Sequence, residues 1–390
     1  MKFVSKITVK ITFIALLIII LLIPLSLIQS VIIEREIRRN EAVVEVSHSW
    51  GHQQNIIGPI LTVPYQYSWK DHENVIRTVV TKAHFLPDHL QIKGSLFPEV
   101  RYRGIYEAVL YRVILKISGK FSHPRFQQWK ISNEDVMWNE AFISIGIPDM
   151  RGIKGEVEII WNQQKLSFHP GANDVKLYDS GMHAKISGLD VKNNSDTHTF
   201  EFNLALNGSE IIHILPLGKE TKVEFSSLWP HPSFTGAFLP TKRDINTEGF
   251  KASWELTYFG RSYPQQWKAE DYEINKLKSL LQKSAFGVKL LFPVDAYQKS
   301  ERSVKYGILF ITLTFLAFFL FEVLGSLRIH PLQYLLVGFA NCLFYLLLIS
   351  LSEHLDFLVS YMIASGSTIV LISGYVSKIL KSKKRAIGVA

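Results

Sequence analysis

The stretch ITVKITFIALLIIILLIPLSLIQSVII (7–33) decides the architecture. It exceeds the roughly 20 apolar residues that a helix needs to cross about 30 Å of hydrocarbon. Lys2, Lys6 and Lys10 stand at its head, with no acidic residue among them. A cleaved signal peptide would have a shorter apolar run and a small-residue site of the A-x-A kind, and neither is present. Glu34, Arg35, Glu36, Arg38, Arg39 and Glu41 follow, with Val43, Val44 and Val46 behind them. That pattern predicts a helix, Ile32–Ser49, leaving the membrane. Residues 1–33 are read as an uncleaved anchor.

The other apolar blocks lie at the far end of the chain. Tyr306–Leu324, Leu332–Leu351 and Phe357–Ile379 are each long enough to span. The linkers GSLRIHP (325–331) and SEHLD (352–356) leave room only for helical hairpins, because backbone facing lipid must satisfy its own hydrogen bonds. With the lysine-rich amino terminus inside, the linker carrying Arg328 is cytoplasmic and SEHLD, without Lys or Arg, is external. The tail with Lys378, Lys381, Lys383, Lys384 and Arg385 is then cytoplasmic, in agreement with the positive-inside pattern. Lys299, Arg302 and Lys305, on the outer side of the second span, run against it. The expected topology is four spans with both termini inside and the middle of the chain outside.

That middle, residues 34–300, is polar and has the period of strands. Val109, Tyr111, Val113, Leu115 and Ile117 alternate on one face of Val109–Ile117, and Phe200, Phe202, Leu204 and Leu206 on one face of Thr199–Leu206. Asn207-Gly208 then reads as a hairpin turn into Ile211–Leu215. Further strands are expected at Ile60–Tyr67, Val75–Phe85, Phe142–Ile147, Glu156–Trp161, Leu166–Phe168, His183–Leu189, Lys222–Ser227, Lys251–Phe259 and Phe286–Phe292. Helix is expected at Asn133–Ala141 and Glu270–Lys283. Short strands at this spacing imply mainly antiparallel sheets, in two lobes with a break near 170–180. The fold class is therefore an α+β membrane protein: an anchor (1–33), an extracytoplasmic mainly β domain (34–300) and a cluster of three carboxy-terminal helices with a basic tail (301–390).

Bulk composition agrees. The formal charge of +9 lies largely beside the apolar spans, so it marks orientation rather than nucleic acid. The one cysteine, Cys342, sits inside a span, which leaves the polar domain without disulfides or a cysteine-based zinc site.

Six segments carry a resemblance that runs nearly end to end: SWGHQQNIIGPILTVPY (49–65), RGIYEAVLY (103–111), PDMRGI (148–153), SLWPHPSFTGAFLP (227–240), VDAYQKSERSVKYGILFITLTFLAFFLFEVL (294–324) and HPLQYLLVGFANCLFYLLLISLSEH (330–354). On these the chain resembles the CreD-type inner-membrane proteins of Gram-negative bacteria. The resemblance implies an inner-membrane protein with a periplasmic domain, linked to a two-component regulon, colicin tolerance, envelope integrity and β-lactam response. It implies no molecular activity. Family members usually continue past KSKKRAIGVA (381–390) with about two more hydrophobic spans, so the carboxy-terminal cluster is expected to be shortened.

No motif in the chain specifies a chemistry. The chain contains no G-x-S-x-G, Walker, G-x-G-x-x-G or H-E-x-x-H motif. His48 and His52 are four apart, but Gly51 interrupts the helix that would align them, so no metal is expected. No cofactor or catalytic residue is nominated, and the chain is read as non-enzymatic. In WPHPSFTGAFLP (229–240), prolines fix φ while Trp229, Phe234 and Phe238 supply apolar area. This is either a rigid segment pinned over a sheet or, with His231, a docking loop for a partner, lipid or peptidoglycan fragment. Asp149 and Arg151 read as an ion pair at a turn. Polar groups at membrane depth are candidates by cost alone: Glu322, Asn341, Glu353 and His354. The structural reading has Asn341 bonding between helices and Glu322 snorkelling to the interface. Glu322 and Glu353 fall at opposite faces and cannot form one site. The leading expectation is an envelope protein that meets an unknown periplasmic or inner-membrane partner, with the bilayer and not nucleic acid as its other contact. The alternative is a transporter or ion-coupled protein.

Overall fold

The computed structural model describes residues 2–70, 72–172, 177–189, 196–292, 296–324 and 329–380. The chain forms two compact units, one of residues 1–41 with 293–390 and one of residues 42–292.

The first unit is helical. It holds most of α1 (Lys2–Trp50) with α3 (Ala296–Lys305), α4 (Gly307–Leu324), α5 (Pro331–Ser352) and α6 (Phe357–Leu380); α2 (Ile274–Lys283) belongs to the second unit. Among the described residues, four helices are long and apolar enough to cross a membrane: α1, α4, α5 and α6. The expected anchor and the helix after it are one continuous rod, because Pro24 does not end the helix and the charged turn at 34–41 continues it. At 1.5 Å per residue the rod is about 73 Å long, more than twice the hydrocarbon thickness. Leu17, Leu21, Leu25, Ile28 and Ile32 recur at helical spacing and are buried. Leu21 packs where Gly338 of α5 has no side chain, and Leu25 lies against Gly307 of α4. The first apolar stretch is thus a packed member of the bundle.

The second unit is two sheets over one hydrophobic core. Its strands are β1 (Gln54–Lys70), β2 (Ile76–Phe85), β3 (His89–Arg103), β4 (Tyr106–Ser122), β5 (Phe142–Gly146), β6 (Glu158–Trp161), β7 (Gln164–Ser167), β8 (His169–Pro170), β9 (Gly181–Lys185), β10 (Thr197–Ser209), β11 (Ile211–Ile214), β12 (Glu220–Ser227), β13 (Pro232–Gly236), β14 (Lys242–Asn246), β15 (Gly249–Thr257), β16 (Gln266–Lys268) and β17 (Phe286–Leu290). One sheet runs β13-β17-β11-β1-β5-β9-β8, with β2 and then β16 added at β1; the other runs β14-β15-β12-β3-β4-β10-β6-β7. Among the described residues only β1/β11 and β3/β12 pair in parallel. The alternating faces read from β4 and β10 are the buried ones, and the core draws Tyr65, Phe142 and Phe286 from one sheet, Leu115, Phe202 and Trp254 from the other.

Several expectations give way here. Asn207-Gly208 is not a turn: both residues continue β10, paired with Arg112 and Tyr111 of β4. The chain changes sheets two residues later, at Glu210, whose φ is 53°. Glycine stands at 208 because any side chain would collide with the Tyr111 ring. Strand β3 leaves no clear period in the sequence because Gly94 and Pro98 punctuate it. Gly94 makes room for the Phe225 ring, and Pro98 lies beyond the reach of β12, where β3 has an open edge. Asn133–Ala141 holds 3₁₀ turns at Asn133–Asp135 and Trp138–Glu140 in place of an α-helix. The break near 170–180 does not part the sheets, since β1 pairs with β11 and β4 with β10 across it; residues 173–176 lie outside those described.

Candidate functional site

In the helical unit two carboxylates, Glu322 and Glu353, meet cationic partners, one at each end. At one end Lys10 of α1 donates to Glu322 of α4. The same carboxylate accepts the Ile329 N–H at 3.2 Å and the Tyr334 hydroxyl at 3.1 Å, and its side chain is only 10% exposed. Glu322 therefore does not snorkel. A carboxylate with three donors needs no water, and the closed cluster ties α1 to α4 and α5. His330 and Gln333 are consumed next to it as a cap on α5: Leu332 N–H donates to His330 Nδ1 at 3.2 Å and His330 N–H to Gln333 Oε1 at 2.9 Å. Residues 325–328 and the tail from 381 onward lie outside the described residues.

At the other end Glu353 lies 3.7 Å from Arg35 Nε and accepts the Tyr297 hydroxyl at 3.3 Å. His354 is beside it in sequence but exposed, in the turn after α5. Between the two ends, among the described residues, α1, α4, α5 and α6 carry no Asp, Glu, Lys or Arg. Asn341, near the middle of α5, does not make the expected interhelical bond through its amide nitrogen: Nδ2 is buried with no hydrogen-bond partner among the described residues. Lys10, Arg35, Tyr297 and Tyr334 went unnamed as the partners of these groups. Lys10 carried a signal, since a lysine inside an apolar run is costly unless paired.

In the β unit the segment 229–240 turns its rings inward. Trp229 packs on Phe292 and donates its indole N–H to Leu291 O at 2.9 Å. Phe234, on edge strand β13, packs on Phe250 and Trp254, and Phe238 packs on Phe286. His231 stays exposed. The aromatic residues hold the segment to the sheet and are spent in doing so.

Asp149 caps the 3₁₀ turn at Met150–Gly152 and takes a two-pronged bond from Arg151, Nε to Oδ1 at 2.9 Å and the second nitrogen to Oδ2 at 3.0 Å. That bond, helped by the His52 N–H, holds its carboxyl down to about 2. Beside it the buried Gln54 amide donates to Asp149 O and Asn207 O at 3.4 and 3.0 Å. His48 and His52 meet only edge to face, with ring centroids 5.6 Å apart. His123 and His198 approach to 3.2 Å between β4 and β10, stacked on Trp138 and Trp161. Burial pushes His198 down to about 4, and it also pushes His84 down to about 4 where that ring bonds Thr62. His84 and His198 are neutral core histidines. Among the described residues no group of three or more His, Cys, Asp or Glu side chains is placed to hold a metal.

Comparison with known proteins gives a consistent result. The family described as "Inner membrane protein CreD" matches residues 6–390. The inner membrane protein CreD of Escherichia coli (strain K12) is 32% identical over 370 residues, covering 93% of this chain and 79% of the relative. Among solved structures, a mutant M1 zinc metallopeptidase of Deinococcus radiodurans bound to a substrate is similar over 44% of this chain and 39% of that one, at 10% identity and a TM-score of 0.21, a likeness that carries no argument.

Proposed function

We propose a function from one premise: the chain belongs to the family of the inner membrane protein CreD. Its helices anchor the β unit on the periplasmic side of the inner membrane, and that unit meets a periplasmic or membrane partner in support of envelope integrity. The protein acts without catalysis. The observation that carries this reading is the distribution of charge in the helical unit. Glu322 and Glu353 are closed into clusters at opposite ends, and no ionisable Asp, Glu, Lys or Arg lies between them among the described residues. A proton or ion relay needs carriers at mid-depth, so the coupled-transport alternative finds little support. What is left for function is a domain of some 250 residues with its own core.

The test replaces residues 54–290 with a flexible linker and keeps every span. The expected outcome is loss of the colicin and β-lactam responses that family resemblance implies, while Glu322→Gln or Glu353→Gln protein that still reaches the membrane keeps them. A normal response from the domain-less chain ends this reading. A reporter inserted near Asn207 should also read as periplasmic.

A further inference from the structure

One of the cations that break the positive-inside pattern, Arg302, lines a cleft in the helical unit. Between α3, α4, α5 and α6 runs a cavity of about 450 Å³ that Arg302 and Asn341 both line. Phe310, Phe344 and Ile372 give it apolar walls, and Tyr345 lines it as well. Arg302 is exposed and makes no ion pair with a carboxylate among the described residues, which leaves its charge open to an anion. Asn341 Nδ2 is a buried donor that finds no acceptor there. Thr314, Ser365 and Thr368 line the same cleft and donate to their own helix carbonyls, and none of them lies within reach as an acceptor for Nδ2.

Depth follows from the packing. Gly307 lies against the Tyr345 ring, so the two are level. Arg302 is five residues outward from Gly307 and Asn341 four residues inward from Tyr345, a rise of about 13 Å along the helices, part of which the extended arginine side chain covers. An occupant must therefore carry a negative charge at the Arg302 end, a hydrogen-bond acceptor further in and hydrocarbon beyond. Phosphate, ester carbonyl and acyl chain occur in that order in one molecule available at this position.

We propose that the cleft binds one anionic phospholipid from the leaflet at the Arg302 end, its phosphate on Arg302 and an ester carbonyl on the Asn341 amide. The charge selects anionic over zwitterionic lipid, and the amide sets the depth of the glycerol. Lys305, on the same helix but outside the cleft lining, contributes no selectivity.

Native mass spectrometry of the full chain in detergent, titrated with phosphatidylglycerol or phosphatidylcholine, tests this. One phosphatidylglycerol should bind with a preference of about tenfold, the size of one charge-assisted contact. Arg302→Gln should remove the preference and Lys305→Gln should keep it. Asn341→Leu, which changes no charge, should weaken both lipids and stands in if the arginine variant does not fold. An unchanged preference in Arg302→Gln, an equal loss in Lys305→Gln, or unaltered binding in Asn341→Leu each overturns the site. A dimer mass that Asn341→Leu abolishes does so as well, by giving the cleft to a second copy.

Discussion

Glu322 shows how much a single partner changes a residue's meaning. Alone at the end of an apolar helix it is a candidate for function; held by Lys10, Tyr334 and the Ile329 N–H it is a fastening. Removing one member of such a pair strands the other, which costs more than the pair itself contributes. Glu322→Gln should lower the stability of the helical unit by about 3 kcal/mol, and adding Lys10→Met should recover part of the loss, read as thermal unfolding in detergent. Full additivity of the two changes would dismiss the pairing. His84 predicts a pH dependence. Its folded value, pushed down to about 4, lies below the ordinary imidazole value near 6.5, so the unfolded chain binds the proton first. The stability that comes from keeping the ring neutral is complete above about pH 6.5 and is lost as pH falls toward 4. Fluorescence-monitored urea unfolding should show that decline, and His84→Gln should make it shallower, with His198, which is pushed down in the same way, supplying the remainder.

At the scale of elements, local signals name periods well and mistake punctuation. The alternation in β4 and β10 needs only that one face be buried, and burial follows from it. Asn207-Gly208 misleads because glycine serves two purposes, a reversed backbone and a close approach, and only the Tyr111 ring above residue 208 tells which. Gly208→Ala should therefore destabilise the β unit by about 1–3 kcal/mol through overpacking, measured by denaturant midpoint. Partial relief by Tyr111→Leu identifies the ring as the cause, and a neutral Gly208→Ala would return the position to a turn. The 229–240 segment is similar. Its prolines and aromatic residues were legible, but the direction of the rings depends on Phe250, Trp254, Phe286 and Phe292, which arrive from elsewhere in the chain.

For the whole molecule, two compact units with separate cores should unfold as separable transitions. Gly208→Ala should shift only the β unit in calorimetry and hydrogen exchange, and Glu322→Gln only the helical one. A single transition moved equally by both would join them. The spans, their lengths and the strand-rich middle were readable from sequence because each follows from a local quantity, twenty apolar residues or a period of two. The closed clusters at Glu322 and Glu353, the cleft below Arg302 and the sheet order were not. Lys10 and Glu322 are 312 residues apart and β1 pairs with a strand some 150 residues later, so nothing within a window of sequence relates them. Hydrophobic patterning states what each segment must bury; only the folded chain states against what, because partner choice is a property of packing between distant segments.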